Sequence, residues 1–212
     1  MMNLLRNFAL GLAVSSTLAA SCVGAAAQMT VSVNKDPSAV QSGNYGVEPV
    51  HTRILFAVSH LGFTTWYGNF THASGSLTLN PRDLKTCKFD ITLPIASVTT
   101  TNAKLDGELK SADWLDAAKF PTAHFVSTEV VATGPASADV SGNLTLHGVT
   151  KPLTLHVTFN GSGVNPLDKQ YTAGFNARGM IHRSDFGVSK YIPLVGDDVE
   201  LIISAAFERQ AL

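Results

Sequence analysis

Charge is scarce in this 212-residue sequence: Asp, Glu, Lys and Arg make up 15% of it and cancel to a formal net charge of −1. With no excess of either sign, nothing suggests an electrostatic grip on nucleic acid, and no such partner is expected. Cysteine is nearly absent, with only Cys22 and Cys87, too few for a disulfide framework. Past residue 27, no stretch reaches the roughly 18 apolar residues that a membrane-spanning helix needs, so stable membrane insertion is not expected. There is no Gly-x-Ser-x-Gly elbow, phosphate-cradling glycine loop, His-Glu-x-x-His pair or dinucleotide fingerprint. The seven histidines are scattered singly, without the close spacing of a zinc site. No metal, cofactor or catalytic role is therefore expected.

What is present begins with an export signal. Arg6 gives a positive start, Phe8 to Ala20 an apolar run too short to span a bilayer as a mature helix, and Ala25-Ala26-Ala27 a small-residue cleavage site. Residues 1–27 are thus read as a cleaved signal peptide, with a mature periplasmic protein starting at Gln28. A minor alternative is a lipoprotein anchored at Cys22, because Leu18-Ala19-Ala20-Ser21-Cys22 loosely matches a lipoprotein box. After cleavage at residue 27, Cys87 is the only thiol, and its strand-like setting reads as a small half-buried residue.

Residues 28–44 carry Pro37, Ser38, Ser42 and Gly43 without a clear period and read as a flexible or loosely docked leader. Residues 45–212 form one domain in which a two-residue period dominates. Ile54–Val58 is a short dense apolar run, as of a strand buried on both faces, and alternation marks strands near Gly75–Leu79, Lys88–Leu93, Gly142–His147 and Pro152–Phe159, with Val199–Phe207 closing the chain. Turn chemistry separates them: Asn80-Pro81, Gly134-Pro135, His147-Gly148, Asn160-Gly161 and Gly196-Asp197. Between Asn102 and Lys119 the spacing of Leu105, Leu109, Trp114 and Leu115 is helical, and Gly107 with Ser111 divides it into two short helices. Many short strands with one helical excursion predict an all-β barrel or sandwich. The barrel is preferred, since closure removes edges that a low-charge β protein would otherwise have to protect.

Aromatic residues are spread over many of these elements, several beside glycine. Phe56, Phe63, Trp66, Phe70, Phe120, Phe125 and Phe186, with Val58, are the candidates to line a lumen; the bland reading is that they fill an ordinary core. Alternation puts Phe56 and Val58 on one face of their strand. His60 and His147 lie near glycines at strand ends, where each could touch a head group or make a structural hydrogen bond. Arg183 and Asp185 share a face, which favours a structural ion pair over an Arg183 offered to an anionic ligand.

In order and spacing the sequence resembles the YceI-like family of exported, polyisoprenoid-binding proteins. The resemblance starts at Tyr45-Gly46-Val47-Glu48-Pro49-Val50-His51-Thr52 and passes through Val58-Ser59-His60-Leu61-Gly62 and Lys110-Ser111-Ala112-Asp113-Trp114-Leu115. Its most specific piece is Gly142-Asn143-Leu144-Thr145-Leu146-His147-Gly148-Val149-Thr150-Lys151-Pro152, followed by His182-Arg183-Ser184-Asp185-Phe186-Gly187. It departs at Glu48, where the family usually has Asp, at Trp114-Leu115 in place of an aromatic pair, and at Asp106-Gly107-Glu108, where a histidine is common. The resemblance implies a lipocalin-like, eight-stranded antiparallel barrel with a short helical insert, holding an isoprenoid, a quinone tail or another long-chain amphiphile. It is compatible with a homodimer. The alternatives are a ligand-free stress or partner-binding protein with a filled barrel, and an enzyme acting on a lipid.

Overall fold

The computed structural model describes residues 32–211; the expected signal peptide and Cys22 lie outside the described residues. The chain forms β1 (Gly43–His60), β2 (Thr64–Phe70), β3 (Ser74–Leu79), β4 (Lys88–Pro94), helix α1 (Ala103–Lys110), β5 (Thr122–Gly134), β6 (Ser137–Leu146), β7 (Val149–Val164), β8 (Tyr171–His182) and β9 (Val195–Arg209). All neighbours are antiparallel. β1 and β3 to β9 close into an eight-stranded barrel through the β1–β9 pairing, and β2 is an extra strand along the upper half of β1. The barrel expectation holds.

Two expectations about local structure need correction. The helical insert is one helix rather than two. Asn102 caps α1 by accepting from Lys104 N–H and Leu105 N–H, while Ser111 ends it at the C-cap and starts no second helix. Gly196-Asp197 is no turn either, because both residues sit inside a β9 that runs unbroken for 15 residues.

Strand β1 shows how local chemistry sets which side chains enter the barrel. Val47 faces Phe207 across the β1–β9 ladder, but past Glu48 the register slips by an odd number of residues. With a period of two, an odd slip reverses the facing, so Ile54, Phe56 and Val58 point inward. The extra residues form a tight bulge on the Glu48 carboxylate, which accepts from the backbone N–H of Val50 and His51. Burial works against that carboxylate, yet these hydrogen bonds and the His51 ring outweigh it and hold its pKa below the ordinary range.

The end of the barrel where β1 begins is closed. Tyr45, Leu77, Leu79, Val130 and Val140 pack into a buried apolar cluster there. The leader from residue 32 is docked against this end: Asn34 and Ser162 exchange two backbone hydrogen bonds of 2.8 Å, and Val40 joins the core. The Tyr45 hydroxyl donates to Gln41 O at 2.5 Å. Burial, with Tyr171 nearby, pushes the Tyr45 pKa up to about 12.

An unfolded tyrosine titrates near pH 10. The native state therefore keeps the Tyr45 proton when the unfolded chain has lost it. Tyr45 stabilises fully below about pH 10, and this contribution of about 2–3 kcal/mol disappears as pH rises toward 12. Urea unfolding at pH 9, 10 and 11 should show the fall, and Tyr45→Phe should flatten it.

Candidate functional site

Above the closed end the barrel is open inside. A cavity of about 260 Å³ runs toward the other end, far more than the roughly 10–15 Å³ that holds one water. Its wall is built by period-two alternation on successive strands: Ile54, Phe56 and Val58 of β1, Leu153 and Leu155 of β7, and Leu201, Ile203 and Phe207 of β9. The cross-strand pairs Ile54–Ile203, Phe56–Leu201 and Val58–Val199 show these faces meeting. The helical insert roofs the cavity with Leu109, Trp114 and Leu115, beside Val188 from the loop before β9.

The roof is held by specific contacts. Lys190 donates to Asp113 at 2.6 Å, joining the loop to the insert. Trp114 meets Tyr191 edge-on at 6.1 Å between ring centroids, and the Arg183 guanidinium lies 5.4 Å above the Trp114 ring. Arg183 is only 6% exposed. It makes no pair with Asp185, contrary to the favoured expectation; instead it donates to the carbonyls of Val188, Lys190, Val195 and Gly196. Burial lowers its pKa, and nearby Asp197 works the other way.

Of the residues singled out in the sequence, Phe56, Val58, Phe70, Phe125 and Arg183 are on the cavity wall. The other five are elsewhere. Phe63 stands in solvent on the β1–β2 turn. His60 and Trp66 lie against each other at the strand ends, ring centroids 5.9 Å apart. Phe120 packs edge-on to His147 at 4.7 Å. Phe186 is buried beneath that pair, and its carbonyl accepts from His147 Nδ1 at 2.9 Å. His147 is thus a tether between the β6–β7 turn and the segment that carries Arg183. Gly148, with φ of 75°, completes the turn and leaves room for Phe120, which a Cβ would approach to 2.4 Å.

The polar groups on the wall are turned away or occupied. The Thr52 hydroxyl accepts from Ala206 N–H and donates to Ala206 O. His124 Nε2 reaches outward to Asp90 at 2.7 Å. Among the described residues no cluster of three metal-ligating side chains occurs, and no helix is long and apolar enough to cross a membrane. The wall presents hydrocarbon and aromatic surface and almost nothing to hydrogen-bond.

Phe56 owes its position to Gly68, which faces it across the β1–β2 ladder. A Cβ at Gly68 would come within 2.3 Å of the Phe56 ring, so Gly68→Ala should push that ring into the cavity. The expected result is a stability loss of about 1–2 kcal/mol and weaker uptake of an apolar probe, checked by urea unfolding and fluorescence titration.

The model of the YceI-like domain family matches residues 45–207, nearly the whole barrel. The chain belongs to the YceI-like family. A UPF0312 protein of Pseudomonas savastanoi pv. phaseolicola is 42% identical over 141 residues, covering 66% of this chain and 73% of that one. Among solved structures, Burkholderia cenocepacia BcnA superposes with a TM-score of 0.69 at 23% identity, over 76% of this chain and 98% of its own. A polyisoprenoid binding domain from Saccharophagus degradans, implicated in plant cell wall breakdown, superposes with a TM-score of 0.61 at 14% identity, over 80% of this chain and all of its own. At these identities the likeness to both structures is one of fold.

Proposed function

We propose that this YceI-like protein is a non-catalytic binding protein that holds the long apolar tail of a lipid in its lumen: an isoprenoid, a quinone tail or a similar amphiphile. One observation carries this reading. The cavity is large and apolar, and its polar wall groups are already satisfied by the protein. Such a site recognises chain length and cross-section rather than a head group. The polyisoprenoid-binding relative of the same fold supports the same ligand class.

The energetics favour long chains. Each buried methylene contributes about 0.8 kcal/mol, while association costs an estimated 4–15 kcal/mol. Ten methylenes therefore barely suffice, and affinity should rise steeply beyond that length. The reading of residues 1–27 as a signal peptide supports action in the periplasm.

Native mass spectrometry of protein from its own periplasm, with the organic extract analysed alongside, tests the reading. A stoichiometric adduct releasing a prenyl or acyl chain is the expected result. A clean apo mass with no uptake of added prenyl lipid would overturn it and favour the partner-binding alternative. The same spectrum tests export. A mass starting at Gln28 is expected, one starting at an acylated Cys22 assigns the lipoprotein, and one starting at Met1 rejects export.

A further inference from the structure

The roofed end of the barrel carries exposed apolar residues that the lumen does not use. Phe63 is 85% exposed and Leu194 59%, with Leu61, Tyr191 and Pro193 exposed beside them. The two turns that bear them are joined by Leu61 N–H donating to Leu194 O at 2.7 Å, and the second turn is closed on itself by Val195 N–H donating to Tyr191 O at 2.8 Å. We infer that this rim is a docking surface for the interfacial region of a lipid bilayer, through which the lumen exchanges its ligand. The inference rests on the lumen holding a lipid, as proposed above.

Two observations point to that occupant. The first is backbone conformation. Leu61 at φ of 55° and Tyr191 at φ of 64° are both left-handed, where a bulky side chain is unfavourable and Gly or Asn would serve better. Tyr191 is accounted for in part by its contact with Trp114, whereas burial does not account for Leu61, which is 45% exposed.

The second is continuity with the cavity. Tyr191 lies edge-on against Trp114, and Leu194 precedes Val195; Trp114 and Val195 both line the lumen. A lipid tail leaving a bilayer in contact with this rim would meet Tyr191 and Leu194 directly beside the lumen-lining Trp114 and Val195. Phenylalanine, tyrosine and leucine projecting from short turns suit insertion among head groups. The five rim residues carry no charge, and neighbouring Lys190 is held by Asp113. Binding should therefore need no anionic lipid and should resist salt.

The experiment is co-sedimentation of the full protein with phosphatidylcholine vesicles. The wild type should sediment with them, equally at about 50 mM and about 500 mM salt. The double variant Phe63→Asp with Leu194→Asp should lose at least tenfold in vesicle partitioning, while Leu167→Asp, at a residue 78% exposed at the opposite end, should not. The double variant should still take up a prenyl probe supplied in dispersed form, which shows that it is folded. Three results overturn the inference: no wild-type sedimentation, an unaffected double variant, or binding abolished by salt. A concentration-dependent dimer that the double variant abolishes, without vesicle binding, would assign the rim to a second copy instead. Vesicle binding without probe uptake would sink the lumen reading alone and leave the docking surface standing.

Discussion

Ala177→Phe is expected to exclude a lipid tail from the lumen while leaving the barrel at least as stable as the native protein. Ala177 lies on β8 between Val157 of β7 and Ile203 of β9, and all three face the cavity. Filling open apolar space with a phenyl ring adds buried hydrocarbon, a change that commonly stabilises by about 0.5–2 kcal/mol. The ligand loses the same space. Displacing only two methylenes costs about 1.6 kcal/mol, more than tenfold in affinity, and a ring across mid-lumen displaces more. Thermal unfolding followed by circular dichroism, with titration of a prenyl probe, separates the two effects. A stable variant that binds as tightly as the native protein would remove the lumen from consideration as the ligand site.

The second large effect is expected at Arg183, and there it concerns stability. Arg183→Met keeps most of the apolar stem but removes the donors that hold the carbonyls of Val188, Lys190, Val195 and Gly196. Unpaired buried acceptors cost about 1–3 kcal/mol each, and water can reach some of these once the loop loosens. A net loss of roughly 3–5 kcal/mol is expected, lowering Tm by about 6–20 °C for a domain of this size. Arg183→Lys should rescue little, because a compact ammonium cannot span acceptors spread on both sides of a planar guanidinium. Hydrogen exchange should show lost protection from Val188 to Gly196. If Tm moved by less than about 2 °C, the loop would be held by the Lys190–Asp113 and Tyr191–Trp114 contacts instead.

How far the fold could be read from sequence depended on what each strand turns inward. β4, β7 and β9 put Phe89, Leu153, Leu155, Leu201 and Ile203 into the barrel, and their alternation is plain. β8 turns in Ala173, Ala177 and Gly179 among larger residues, so its contrast is weak and its sequence carries no clear strand signal. β5 directs Ser127 to the interior, where it accepts from Phe89 N–H, and a bulge between Ser127 and Glu129 breaks the period.

The site was legible in part for a related reason. Searching by aromatic side chain found Phe56, Phe70 and Phe125 but also Phe63, Trp66, Phe120 and Phe186, because ring size says nothing about facing. Alternation adds Ile54, which shares parity with Phe56 and Val58, whereas no candidate on β9 marks Leu201. What remained hidden was register. The odd slip after Glu48 reverses the facing of β1, and it rests on a side-chain-held bulge that appears only when β9 is laid beside it.

The closed end has a bearing on how such a protein works. With the leader, Tyr45 and the apolar cluster sealing one end, a lipid tail held in the lumen as proposed would have to enter and leave at the opposite end. A tail shorter than the tube leaves contacts unmade at the bottom, whereas a longer one must trail its remainder and head group outside. The depth of the seal is therefore a ruler for the cargo. On the proposed reading, exchange would take place at the end opposite the seal rather than by passage through the molecule, the first tail withdrawing before a second enters.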